Sequence, residues 1–113
     1  MKNILLIIFC ISSFKTFAVG QANTFEVDVV RIDKSGKGYV KFKSRLISSQ
    51  GLPTCGSSHP YHLAFNTNTP GGQAIFSIAL TAKASNKKIW ARGTGECGGT
   101  YSTVENWNWG YVL

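Results

Sequence analysis

The stretch from Thr69 to Cys97, TPGGQAIFSIALTAKASNKKIWARGTGEC, constrains this chain more than any other. It holds the one segment long enough for a substantial helix, then a tight stop, then a strand that runs to a cysteine. Thr69 suits the N-cap, and Pro70 suits the first helical position, where its missing N–H costs nothing. Ala74, Ile75, Ile78, Ala79 and Ala82 recur at helical spacing and are expected to face the core. Phe76 and Leu80, four residues apart, make a second apolar edge. A helix apolar on two sides needs two burial surfaces, so it either sinks deeply into its own domain or meets a second copy of the chain. Phe76 and Leu80 are therefore the candidate subunit interface of a homo-oligomer. Asn86 ends the helix by taking the left-handed conformation. The Gly71-Gly72 pair has no phosphate motif beside it and reads as close packing of the helix start.

The chain opens with Met1-Lys2-Asn3 and an apolar run from Ile4 to Phe14, followed by small residues at Thr16-Phe17-Ala18 or Ala18-Val19-Gly20. That pattern reads as a secretory signal peptide over residues 1–20, leaving 21–113 as a single domain in a secreted or periplasmic protein. The apolar run is shorter than the roughly 20 residues a bilayer span needs, and Cys10 follows Phe9 rather than a small residue, so no stable membrane anchor is expected. A domain of about 93 residues buries only some two thirds of its unfolded surface and gains from a covalent tie. Cys55 and Cys97 are the only cysteines left, and in an exported protein such a pair reads as a disulfide. Without Lys2 and Lys15 the formal net charge falls from +7 to +5, with 10 basic against 5 acidic side chains. This balance favours acidic partners and also serves plain solubility.

Phe25 to Ile32 and Tyr39 to Leu46 are β-rich runs around the turn cluster Asp33-Lys34-Ser35-Gly36-Lys37-Gly38, so they form a hairpin. A turn centred on Ser35-Gly36 pairs Glu26 with Arg45, Asp28 with Lys43, Val30 with Lys41 and Ile32 with Tyr39. It also leaves Val27, Val29, Phe42 and Leu46 on the other face. Two of the three bases Lys41, Lys43 and Arg45 then meet carboxylates, which explains this basic run without a nucleic-acid ligand. Residues 47–60 are a Ser, Gly and Pro-rich loop held at Cys55. Tyr61 to Asn66 is a third strand, with Tyr61, Leu63 and Phe65 on one side. His59 and His62 lack further ligands nearby, which argues against a metal site. Lys88 to Arg92 is the fourth strand, with Lys88, Trp90 and Arg92 on one face. Tyr101 to Leu113 is the last, with Trp107, Trp109 and Tyr111 on one side and Asn106 and Asn108 on the other.

The order strand, strand, strand, helix, strand, strand is that of a mainly β, five-stranded Greek-key barrel of the oligonucleotide/oligosaccharide-binding (OB) kind. From the opening hairpin through the Gly71–Ala91 helix and strand, roughly residues 25–92, the layout resembles the B subunits of bacterial A/B toxins of the subtilase cytotoxin and pertussis-like group. That resemblance implies a pentamer that binds cell-surface glycans, with helices lining a central pore, and a catalytic partner chain. None of that group's glycan-contacting residues matches a position here.

From the residues themselves, two readings of the last strand stand open. Alternating Trp107, Trp109 and Tyr111 either fill the interior of a small barrel or offer flat apolar surface to a sugar ring, with Asn106 or Asn108 brought round by a twist or a bulge at Gly110. Trp90 and Arg92 form a second candidate pair, since an indole and a planar guanidinium together suit an acidic sugar or a base. The ligand-binding candidates are thus Trp90, Arg92, Asn106, Trp107, Asn108, Trp109 and Tyr111, in a glycan-binding module. Nucleic-acid binding ranks lower because of secretion, and a protein-interaction or inhibitor module is the further alternative. No nucleophile sits in a recognisable setting, so catalysis ranks last, with His62, Arg92, Glu96 and Glu105 as the residues it would draw on. No catalytic residue, metal ligand or cofactor is assigned.

Overall fold

The computed structural model describes residues 18–113. The expected leader, except for its last three positions, and Cys10 lie outside the described residues. The elements are β1 (Gln21–Ile32), β2 (Lys37–Phe42), a turn of 3-10 helix (Thr54–Gly56), β3 (His62–Asn66), α1 (Pro70–Ser85), β4 (Lys88–Cys97) and β5 (Glu105–Val112). Strands hydrogen-bond in the order β1-β2-β3-β5-β4, and β4 pairs back onto β1, so the sheet closes into a ring. Every neighbouring pair is antiparallel except β3 and β5, which run parallel. Inside the ring lie Val27, Val40, Phe42, Leu63, Phe65, Ile89 and Trp107, and Ala79 and Ala82 of α1 join them.

The β1–β2 hairpin forms where expected, with a different register. Its turn spans Asp33–Gly36: Gly36 N–H donates to the Asp33 carbonyl at 2.9 Å, and Gly36 takes φ +90°. Asp33 N–H donates to the Lys37 carbonyl at 2.7 Å, so pairing is centred on Ser35, with Val30 opposite Val40, Arg31 opposite Tyr39 and Ile32 opposite Gly38. Further along, Val27 faces Phe42 while Val29 faces Lys41, so Asp28 is an extra residue in β1. One extra residue reverses which side chains point inward. Val27 is buried and Val29 is 40% exposed, against the expectation that both share one face. The ion pairs follow the observed register: Lys43 to Glu26 at 2.9 Å and Lys41 to Asp28 at 3.5 Å. Two of the three bases meet carboxylates, but they are Lys41 and Lys43 rather than the expected Lys43 and Arg45, and Lys43 pairs with Glu26 in place of Asp28.

The helix ends hold as read from sequence. Thr69 Oγ1 accepts from Gly72 N–H at 3.0 Å, Pro70 opens the helix, and Asn86 closes it at φ 53°. Gly72 packs so tightly that a Cβ there would stand 1.7 Å from the Asn66 carbonyl oxygen, whereas Gly71 faces open space. The apolar edges are corrected. Ala74 is exposed, and Phe76 belongs with the core, its ring 5.6 Å from that of Phe65. Leu80, 45% exposed, stands alone as the outer apolar position of the pair. Tyr61, placed by alternation on one side with Leu63 and Phe65, lies before β3 in the turn and is 36% exposed, whereas those two are buried.

Cys55 and Cys97 are disulfide-bonded, their Cα atoms 5.9 Å apart across 42 residues of sequence. The bond ties the long loop after β2 to the end of β4. In the chain-entropy picture a loop of this length stabilises the fold by about 4 kcal/mol.

Two outcomes test this architecture by urea unfolding. Replacing both Cys55 and Cys97 by Ala is expected to remove about 4 kcal/mol, and reduction of the native chain should reproduce the shift. Phe76→Asp is expected to cost about 2–4 kcal/mol, because it places a charge against Phe65, while Leu80→Asp should cost less than about 1 kcal/mol. Equal effects at the two positions would contradict the division between core and surface.

Candidate ligand-binding site

The outer face of β4 and β5 gathers the aromatic residues. Along β4, Lys88, Trp90 and Arg92 alternate outward with the buried Ile89 and Ala91, as the sequence predicted. Opposite them, Tyr111 pairs with Trp90 and Trp109 pairs with Arg92. The next pair is Gly93 with Trp107, so Asn108 is an extra residue in β5. This bulge sits two positions before the Gly110 site considered from sequence. It splits the expected aromatic face: Trp107 turns inward, 6% exposed, against Phe42 at 6.1 Å, while Trp109 and Tyr111 turn outward at 48% and 46%. Trp107 thus fills the interior, while Trp109 and Tyr111 lie on the outer surface.

Outside, three rings form one platform. Trp90 stacks on Tyr111 with planes 10° apart and centroids 5.6 Å apart, and lies 4.5 Å from Trp109. Trp109 and Tyr111 are 6.4 Å apart. The rings bury parts of one another and keep apolar surface in water, an arrangement that offsets only part of its hydration cost. Beside the platform opens a cleft of about 400 Å³ lined by Val19, Arg92, Gly93, Thr94, Glu96, Asn108 and Trp109. A second, of about 300 Å³, is lined by Val19, Gln21, Asn23, Ile47, Ser48, Ser49 and Arg92. Arg92 and Val19 belong to both, so the guanidinium stands between an aromatic wall and a polar wall.

The other sequence candidates divide. Asn108 lines the first cleft. Asn106 does not; its Nδ2 donates to the Gly98 carbonyl at 2.8 Å, bracing the β4–β5 turn, and its Oδ1 is buried without a partner. Of the four residues a catalytic site would draw on, Arg92 and Glu96 share the cleft. His62 lies apart on β3, its ring 4.9 Å from Tyr39 and 5.3 Å from His59, and burial holds its pKa below the usual imidazole value. Among the described residues, no group of three His, Cys, Asp or Glu is arranged to hold a metal ion.

Glu105 is the residue whose role sequence reasoning missed. It is 2% exposed, at the start of β5 just behind the cleft wall. Its carboxylate accepts from Gly20 N–H at 3.1 and 3.0 Å and from Gly95 N–H at 3.1 Å. Gly93 makes room for it, since a Cβ there would stand 1.8 Å from Oε2. Burial raises its pKa above the ordinary carboxylate value, and the two backbone donors pull the other way. The run Gly93-Thr94-Gly95 was the available signal: it reads as a bend, whereas it is a wide irregularity in β4 that wraps this carboxylate.

Comparisons with protein-family profiles, with curated proteins and with solved structures each return no match.

The raised pKa of Glu105 gives a pH signature. A carboxyl that holds its proton more tightly folded than unfolded loses stability for the fold as pH rises through that window. Acidification from pH 7 towards the ordinary carboxylate value is therefore expected to raise the melting temperature of the native protein relative to that of Glu105→Gln, which lacks the titration. A constant difference between the two as pH falls from 7 to the ordinary carboxylate value would contradict the assignment.

Proposed function

We propose that this is an exported binding module that holds a glycan on the outer face of β4 and β5. The observation that carries the reading is the Trp90, Trp109 and Tyr111 platform beside an Arg92 that faces two clefts. Flat, mutually stacked rings offer apolar faces that match the C–H faces of sugar rings, and rigid aromatics cost little entropy on binding. Asn108, Gln21, Asn23 and Ser48 supply amide and hydroxyl groups around them, the mixture that fixes a polyhydroxylated ligand's orientation. Arg92 adds a bidentate donor for an acidic substituent.

The strand order and the parallel β3–β5 pair support reading the ring as an OB-like Greek-key barrel. The disulfide, and the absence among the described residues of a helix long and apolar enough to cross a membrane, agree with a secreted or periplasmic location. Assembly of several copies, as the toxin-subunit resemblance implies, would engage the exposed Leu80 and leave Phe76 in the core. Binding of nucleic acid has weaker support, because Lys41 and Lys43 are engaged by Asp28 and Glu26 rather than aligned beside the platform.

Binding to a panel of immobilised glycans, neutral and acidic, tests the proposal. Trp109→Ala and Tyr111→Ala are expected to weaken binding at least about tenfold while the melting temperature moves only a few degrees. Trp107→Ala is expected to destabilise the fold by about 3–5 kcal/mol instead. No glycan bound by the native protein, or binding indifferent to Trp109 and Tyr111, would overturn the reading. Steeply salt-dependent capture of single-stranded nucleic acid would replace it.

A further inference from the structure

Two cut sites fit the small residues that follow the apolar run, one after Ala18 and one after Gly20. They differ only in the fate of Val19 and Gly20, and the fold uses both residues. Gly20 is buried. Its N–H donates to both Glu105 oxygens, and its carbonyl accepts from Gly93 N–H at 2.9 Å. A Cβ at position 20 would stand 2.6 Å from Glu105 Oε1 and 3.0 Å from Leu46, so the site is shaped around a glycine. Val19 is half-buried and lines both clefts beside Arg92.

A cut after Gly20 would leave the buried Glu105 carboxylate with Gly95 as its one remaining donor of the two, and would strip Gly93 N–H of its acceptor. Unmatched buried polar groups of this kind are costly, and natural folds avoid them. A cut after Ala18 keeps every one of these bonds, and it places Ala18 and Thr16 at the two positions where a signal peptidase requires small residues.

We infer that maturation hydrolyses the peptide bond between Ala18 and Val19. Water adds across that amide, leaving a carboxylate on Ala18 in the released leader and a free amino group on Val19. The mature chain then begins on the residue that the two clefts share, and a new cationic group joins Arg92 at their common wall. The inference rests on the proposed export of the chain and on the Gly20 and Glu105 contacts, and does not depend on the glycan reading.

Expression of the full 113-residue chain in an exporting bacterium, followed by intact mass and N-terminal sequencing of the processed protein, tests it. The expected first residue is Val19. A first residue of Gln21, any start further inside the fold, or a chain that stays uncut would overturn the inference. A second measurement tests the structural reason. Chains given fixed starts at Val19 and at Gln21 by removal of a cleavable N-terminal tag should differ in melting temperature by about 5–10 °C, the Gln21 start being the lower. Equal melting temperatures would show that Gly20 does not matter to the fold and would remove the ground for choosing between the two sites.

Discussion

The Glu105 carboxylate is the contact on which the closed sheet depends. It stands at the head of β5, where Glu105 pairs with Leu63 of β3 on one side and with Cys97 of β4 on the other. Its oxygens reach two further pieces of backbone, the segment entering β1 at Gly20 and the irregular part of β4 at Gly95. One residue, through its backbone and its carboxylate together, thus joins four strands or their approaches. A buried ionised carboxylate is expensive unless hydrogen-bonded, and backbone N–H groups held by the sheet are donors that need no reorganisation. The wide irregularity of β4 supplies one such donor, and Gly93 clears the volume. The disulfide acts next to this point, since Cys97 is the residue paired with Glu105.

Three single-residue insertions then decide what faces inward, one of them between Ala22 and Phe25 of β1. Asp28 in β1 and Asn108 in β5 each shift the alternation by one place. In β1 the shift brings Val30 onto the core and sends Val29 outside. In β5 it lets a single strand serve both compartments: Trp107 fills the interior, and two residues later Trp109 stands in water. Strict alternation would have put all the aromatics of β5 on one face, giving either an overfilled core or a core without Trp107. The bulge therefore makes packing and an exposed platform compatible within eight residues.

What the sequence made legible follows the range over which each signal acts. Thr69, Pro70 and Asn86 set the helix ends through contacts a few residues away, and all three hold. The cysteine pair was readable because only two cysteines remained to be joined. The outward face of Lys88, Trp90 and Arg92 was readable because β4 is regular there. The misses are of another kind. A bulge leaves no compositional mark, so the phase after Asp28 and Asn108 was invisible, and with it the fates of Val29 and Trp107. The hairpin register failed by one place because Asp33 and Lys37 close a loop of three residues, so pairing centres on the single residue Ser35 rather than on a central pair. Glu105 was the least legible, since its partner Gly20 is 85 residues away and sat in a stretch that composition assigns to a leader. A lone carboxylate near a strand start gives no hint that distant backbone donors will enclose it.

The platform and the closure contact are physically one unit. Gly93 follows Arg92 directly and is the residue that admits Glu105 from behind, while the cleft it helps to line opens on the other side. Arg92 and Trp90 are carried on the part of β4 that pairs with both β1 and β5, so their backbone is fixed from two sides. As the proposed binding surface, a platform mounted in this way would lose little freedom on binding, because its side chains are already ordered by stacking and its main chain by the ring. It also cannot reshape itself much for different ligands. The same rigidity argues for a ligand with a fixed flat face and against a flexible, multivalent polyanion, which would gain more from a row of mobile lysines than from one guanidinium set between two walls. The lysine at the far end of this face, Lys88, lies near Glu26, which leaves Arg92 as the cation beside Trp109.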